Sequence, residues 1–179
     1  MGQCIVRIGA ATLELDIEAD PPRINYVGPL AAKLRTIKLD LADDELVIGH
    51  AAVPPVVNWR DVPESAFIRC YTLTEICAEK LRCVIQRRQC RDVYDLWTLL
   101  EDRGGTDLFE AWHRFERKAE HKGLDPQRFF DRWETGLRWY GSRWTNELTD
   151  YLGSDCPEFS AVSRALNHHV ARVRAYIDT

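Results

Sequence analysis

The feature that most constrains the fold is a change of hydrophobic period at Thr72. Before it, apolar and polar residues alternate. Leu13, Leu15 and Ile17 fall on one face of a run, with Glu14 and Asp16 on the other, because side chains alternate across a strand. Cys4–Ile8 forms a similar run. In Thr36–Leu41, Ile37, Leu39 and Leu41 share one face and Lys38 and Asp40 the opposite one. Pro21-Pro22, Gly28-Pro29, Pro54-Pro55 and Asp61–Glu64 mark turns or loops, and Asp43–Glu45 a polar turn or helix start. After Thr72 the apolar residues recur at helical spacing. Leu73, Ile76, Cys77, Leu81 and Val84 make one stripe over Thr72–Gln86. Thr72-x-x-Glu75 is a capping box that fixes its start.

Four more helices are expected. One runs from about Asp92 to Glu101 and ends at Gly104-Gly105. The next spans Thr106–His121 and ends near Gly123. A fourth opens at Asp125-Pro126 and continues to about Tyr151, and a last one runs from near Pro157 to Tyr176. The architecture predicted is α+β: a small N-terminal sheet region over residues 1–70, then a helical lobe of about five helices over 71–179.

Composition fits a folded chain. Of 179 residues, 45% are hydrophobic and 29% charged, which excludes disorder as the default. The uncharged stretch Ile48–Asn58 is too short and too broken by His50, Pro54 and Pro55 to span a bilayer. Met1–Arg7 has no apolar leader core, so a cytoplasmic protein without membrane contact is expected. Six cysteines show no Cys-x-x-Cys spacing. They are expected to be free thiols packed as small apolar groups.

Charge is uneven. Lys80, Arg82, Arg87, Arg88 and Arg91 lie within twelve residues that contain no acid. Such a positive field suits a polyphosphate or an RNA backbone, or else it is a solvated helix face. Lys80 falls in the middle of an apolar stripe. A buried ammonium needs a partner, and two answers fit: a structural salt bridge, or an anionic ligand such as phosphate. Glu75 points about 140° away from Lys80 on a helix, so the two are not expected to act on one atom. Its own role is supporting, through the cap. Asp92 suits an N-cap and Asp95 the third position of the same helix. Lys38 and Asp40 can hold a divalent metal or line a solvated edge strand. The segment Arg128-Phe129-Phe130, Arg132-Trp133, Arg138-Trp139-Tyr140, Arg143-Trp144 can stack RNA bases. The repeat of Phe129, Trp133 and Leu137 every four residues favours a core stripe instead. His168-His169 has no spacing that argues for metal.

Ile37-Lys38-Leu39-Asp40-Leu41, Tyr71-Thr72-Leu73-Thr74-Glu75-Ile76-Cys77-Ala78-Glu79-Lys80-Leu81-Arg82, Arg87 and Arg91-Asp92-Val93-Tyr94-Asp95-Leu96 together resemble the AbiEii/AbiGii toxin family. The resemblance is closest across Thr36–Leu100. It implies a nucleotidyltransferase-like core with a helical second lobe, in a bacterial toxin–antitoxin or phage-defence system. It implies transfer of a nucleotide from an NTP to RNA, tRNA in some relatives. Lys38 and Asp40 look like the family's Lys-x-Asp strand, with Asp40 beside the metal and catalytic. Glu75 and Lys80 look like its Asp/Glu-x4-Lys motif, with Lys38, Lys80, Arg87 and Arg91 toward nucleotide and phosphate. Asp92 looks like its late acidic, base-like residue.

One element has no counterpart here. The family opens with a Gly-Gly or Gly-Ser turn followed by Asp-x-Asp, which holds Mg2+ against the triphosphate. Glu14-x-Asp16 is the nearest imitation, too close behind Gly9. The expectation is therefore a chain that is incomplete or inactive alone. Mg2+ and NTP bind only if a complete active site is assembled, with a cognate antitoxin, a complementing N-terminal segment or RNA as partners, and a homo-oligomer through an exposed sheet edge. The alternative is a non-catalytic RNA- or partner-binding module derived from the same family.

Overall fold

A computed structural model describes residues 3–8, 11–16, 18, 20–27, 34–39, 42, 44–53, 67–101 and 106–178. The architecture is α+β, as the change of period predicts. The chain forms two compact units.

The first unit comprises Met1–Glu45 and Val56–Ala66. Its described part is an antiparallel four-stranded meander: β1 (Gln3–Ile8), β2 (Ala11–Asp16), β3 (Arg23–Val27) and β4 (Leu34–Lys38), in that spatial order. The alternation of Leu13 and Leu15 with Glu14 and Asp16 builds β2, paired with β1 from Gln3↔Asp16 to Ile8↔Ala11. β3 escapes the sequence reading because prolines flank it closely, yet Ile24 and Tyr26 alternate with Asn25. β4 is an edge strand, exposed along its length. It begins and ends earlier than Thr36–Leu41, and Leu39 leaves the ladder to donate its N–H to Pro22 O at 2.7 Å. The expected turns at Gly28-Pro29, Pro54-Pro55, Asp61–Glu64 and Gly104-Gly105 lie outside the described residues, as does Asp43. Asp44 and Glu45 start no helix.

The second unit comprises Leu46–Pro55 and Phe67–Thr179. It holds a hairpin, β5 (His50–Val53) with β6 (Ile68–Tyr71), and five α-helices among the described residues. These are α1 (Leu73–Gln86), α2 (Cys90–Glu101), α3 (Leu108–His121), α4 (Arg128–Leu152) and α5 (Phe159–Ile177). The Thr72 hydroxyl caps α1 by accepting from Glu75 N–H at 3.2 Å, and the Asp107 carboxylate caps α3 through Phe109 N–H at 2.9 Å. Gly123 closes the α3 turn at φ +66°, a conformation glycine adopts without a Cβ penalty.

The core is aromatic. Trp112 meets Phe115, Phe129 and Phe130 with ring centroids 4.8, 5.5 and 5.2 Å away. Trp133 and Trp144 are buried and satisfy their indole N–H on Asn167 Oδ1 at 2.8 Å and Pro157 O at 2.7 Å. The Phe129–Trp144 segment is thus a core stripe, with Arg128, Arg138 and Arg143 left at the surface. Cys70, Cys77, Cys83, Cys90 and Cys156 are free, and burial pushes the thiols of Cys77 and Cys90 up to about 12. Cys77 and Cys90 pack as apolar groups and not as nucleophiles, whereas Cys70 is exposed, against the expectation of a packed thiol.

Candidate functional site

The motifs that follow Thr72 converge on α1 and two of the helices packed against it, α2 and α3. The Thr72 cap fixes the start of α1. That start puts Glu75 and Glu79 within reach of α3 and Lys80 within reach of α2.

Glu75 is fully buried. Its carboxylate does not complete the capping box. Oε1 accepts from Ile48 N–H at 3.0 Å and pairs with Lys118 Nζ at 2.7 Å. Oε2 accepts from Gly49 N–H at 3.0 Å and pairs with Arg114 at 3.4 Å. Lys118, 2% exposed, also donates to Leu46 O at 2.5 Å and pairs with Glu79. Burial alone raises the pKa of Glu75; the Lys118 ammonium and the two backbone N–H groups outweigh it and hold the carboxyl below its usual range. The cluster ties Leu46–Gly49, α1 and α3 together. Lys118 and Arg114 carry no motif, yet the signal for Lys118 was the one that marked Lys80. It sits on an apolar stripe, after Ala111, Trp112 and Phe115.

The second cluster joins α1 to α2. Lys80 Nζ pairs with Asp92 Oδ1 at 3.1 Å and Asp95 Oδ2 at 2.5 Å. Arg87 clamps the same Asp92, with Nε to Oδ2 at 3.0 Å and Nη2 to Oδ1 at 3.1 Å. Asp92 is 1% exposed, Asp95 41% and Lys80 21%. Burial would lower the Lys80 pKa; Asp95 and Asp92 outweigh it and raise it. Two cations face two carboxylates, so the group is neutral. Lys80 and Asp95 border an open groove of about 490 Å3, walled by Leu73, Ile76, Tyr94, Thr98 and Leu99.

Two expectations need correcting. Asp92 is not the N-cap of α2. The helix starts at Cys90, which belongs to the buried stripe with Val93 and Leu96 and whose N–H is taken by Glu147 Oε2 at 3.2 Å. Asp92 therefore sits in the first turn. Asp95, expected at the third position of α2, falls one turn later and reaches back to Lys80.

Glu75, Lys80, Arg87, Asp92 and Asp95 thus all belong to the helix junction of the second unit, in two separate ion clusters. Arg91 is exposed, bonded through Nε to Gln89 Oε1 at 2.8 Å, and takes no part in either. Lys38 is exposed at the end of β4 in the first unit, opposite Arg23. Asp40 lies outside the described residues. The described carboxylates beside Lys80 do not fit a magnesium ion. Asp92 already accepts from two cations and is closed to solvent, and no group of three or more metal-ligating side chains occurs among the described residues. His169 pairs with Glu101 at 2.6 Å.

Fold and junction together define an α+β protein whose helical lobe presents a lysine held by the Arg91-Asp92-x-x-Asp95 helix. The family model described as "Nucleotidyl transferase AbiEii toxin, Type IV TA system" matches residues 6–167, and the chain belongs to this family of nucleotidyltransferase-like toxin–antitoxin proteins. The family implies an antitoxin as partner. Neither a curated protein nor a solved structure matches the chain. Among the described residues no helix is long and apolar enough to cross a membrane.

Proposed function

We propose that this chain supplies the phosphate-contacting helical part of a cytoplasmic toxin nucleotidyltransferase that moves a nucleotide from an NTP to RNA, with tRNA as one candidate acceptor. The observation that carries this reading is Lys80. Its ammonium is held by two carboxylates of α2 yet stays partly open to a groove. The two carboxylates differ. Asp92 is buried and shared with Arg87, so it positions Lys80. Asp95 is half-exposed and is the partner a phosphate displaces. Tyr94 gives the same groove an aromatic wall. Catalysis then needs carboxylates from beyond the described cluster: Asp40, beside the metal by its motif position, or a complementing polypeptide that brings an Asp-x-Asp. Alone, the chain binds and does not transfer.

Titration of each NTP by calorimetry tests this. Lys80→Met is expected to weaken binding about 10- to 100-fold, the worth of one charge-assisted contact. Asp95→Asn is expected to keep or improve affinity, because it removes a competitor of the phosphate. Equal affinities for Lys80→Met and wild type, at equal melting temperatures, would falsify the phosphate role. The poor fit of the described carboxylates to a metal favours a second reading, a non-catalytic RNA-binding member of the family. It gains ground if RNA binds without magnesium while no NTP does.

A further inference from the structure

The basic run contains two arginines that neither ion cluster uses. Arg88 has no hydrogen-bond or ion-pair partner among the described residues, and Arg91 bonds only Gln89. They do not face open solvent alone. With Gln89, Trp139, Glu147 and Tyr151 they line a pocket of about 370 Å3 where the α1–α2 connection meets α4. That volume lies in the range of small-ligand sites. Its one acid is already engaged. Glu147 Oε2 accepts the Cys90 N–H, and Oε1 lies 3.8 Å from Arg143. Arg143 in turn stacks over Trp139, 5.0 Å from the ring centroid, and Tyr140 meets that ring edge-on at 5.4 Å. Trp139 is therefore fixed, while Tyr151 stands 73% exposed at the rim.

We infer that this pocket binds a nucleoside phosphate. The Arg88 guanidinium and the terminal nitrogens of Arg91, whose Nε is held by Gln89, offer planar donors that match phosphate oxygens. A fixed indole and an exposed phenol offer faces for a base, and such stacking tolerates any base because each has a π-face. Glu147, held in place, adds an acceptor for a hydroxyl or amino group. The site is distinct from the Lys80 groove, so it stands or falls independently of the function proposed above. Its nucleotide comes from one of two sources, a single-stranded RNA or a free mononucleotide.

Fluorescence anisotropy with a short fluorescein-labelled oligouridylate, competed by UMP, decides it. An oligonucleotide bound at least about tenfold tighter than UMP identifies a strand; comparable affinities identify the free nucleotide. In either case Trp139→Ala is expected to weaken binding about 5- to 150-fold. The Arg88→Ala/Arg91→Ala pair is expected to flatten the slope of log affinity against log salt by about 1.4, two phosphate contacts' worth on a single strand. The arginine pair should keep whatever NTP affinity Lys80→Met removes, which separates this site from the groove. Wild-type affinity in both variants, or no binding of either probe by the intact protein, overturns the proposal. All the altered side chains are at least partly exposed, and unchanged melting temperatures confirm that the variants fold.

Discussion

Lys118→Met is expected to lower the stability of the helical unit by about 3–5 kcal/mol, the cost of removing one partner from a buried ion pair. For a chain of this size the melting temperature drops by roughly 6–20 °C. Methionine fills the lysine's volume, so lost packing is not the cause. The cause is the charge left behind. Glu75 is fully buried and would keep only the Ile48 and Gly49 N–H groups and Arg114 at 3.4 Å. Leu46 O loses its donor as well. Adding Glu75→Gln to Lys118→Met should recover part of the loss, because it removes the unpaired charge. The pH dependence gives a sign to check. In the wild type the folded pKa of Glu75 lies below its ordinary value of 4.5. The unfolded state therefore binds more protons there, and the stability Glu75 contributes is present above pH 4.5 and lost as pH falls through the folded pKa. Without Lys118 only the Ile48 and Gly49 N–H groups and Arg114 oppose the effect of burial, and the shift is expected to reverse. Wild-type and variant melting temperatures should therefore converge as pH falls from 7 toward 4.5. Equal melting temperatures at pH 7, or a gap that widens on acidification, would show that the Glu75 carboxylate is stabilised by something other than Lys118.

How much of this was legible in the sequence follows from which signals are local. The helices were, because caps and stripes are written within one turn or two. Thr72 stands three residues before Glu75, and Asp107, Gly123 and Pro126 sit at helix ends. The start of α2 was misplaced by two residues, since its N-terminal partner is Glu147, far away in sequence. The strands β5 and β6 were not legible. His50–Val53 is short and alanine-rich beside two prolines, and every residue of Ile68–Tyr71 is exposed, so no alternation shows. For the site, Lys80 announced itself as a cation on an apolar stripe, but its partners did not. Asp92 and Asp95 each had a local explanation as helix-terminal acids, and only packing of α1 on α2 turns them toward Lys80. Glu75 was read through the residue it caps, while its carboxylate answers a lysine on α3 and a loop some twenty-six residues upstream.

Trp133→Ala is expected to cost about 3–5 kcal/mol, the usual price of truncating a buried tryptophan, while Trp139→Ala, six residues along the same helix, is expected to stay near 1 kcal/mol. Both belong to the aromatic-basic segment, and composition cannot separate them. Their surroundings can. Trp133 is fully buried, its ring lies 6.3 Å from Tyr140, and its indole N–H is fixed by Asn167 of α5. Truncation leaves a cavity between α4 and α5 and strands the Asn167 carbonyl, which can rehydrate because Asn167 is exposed. Trp133→Phe should lose less, about 1–2 kcal/mol, because most of the ring volume remains and one neutral hydrogen bond goes. Trp139 instead lies at the edge of the core, half-buried, with Arg143 over one face of its ring. The two variants should therefore split in their readouts. Trp133→Ala lowers the denaturation midpoint, and any effect on nucleotide binding at low temperature follows from the folded fraction alone. Trp139→Ala barely moves the midpoint and weakens binding in fully folded protein. A Trp133→Ala protein that melts like wild type but no longer binds would place the stacking face on the inner stripe and break the division of α4 into a structural face and a recognition face.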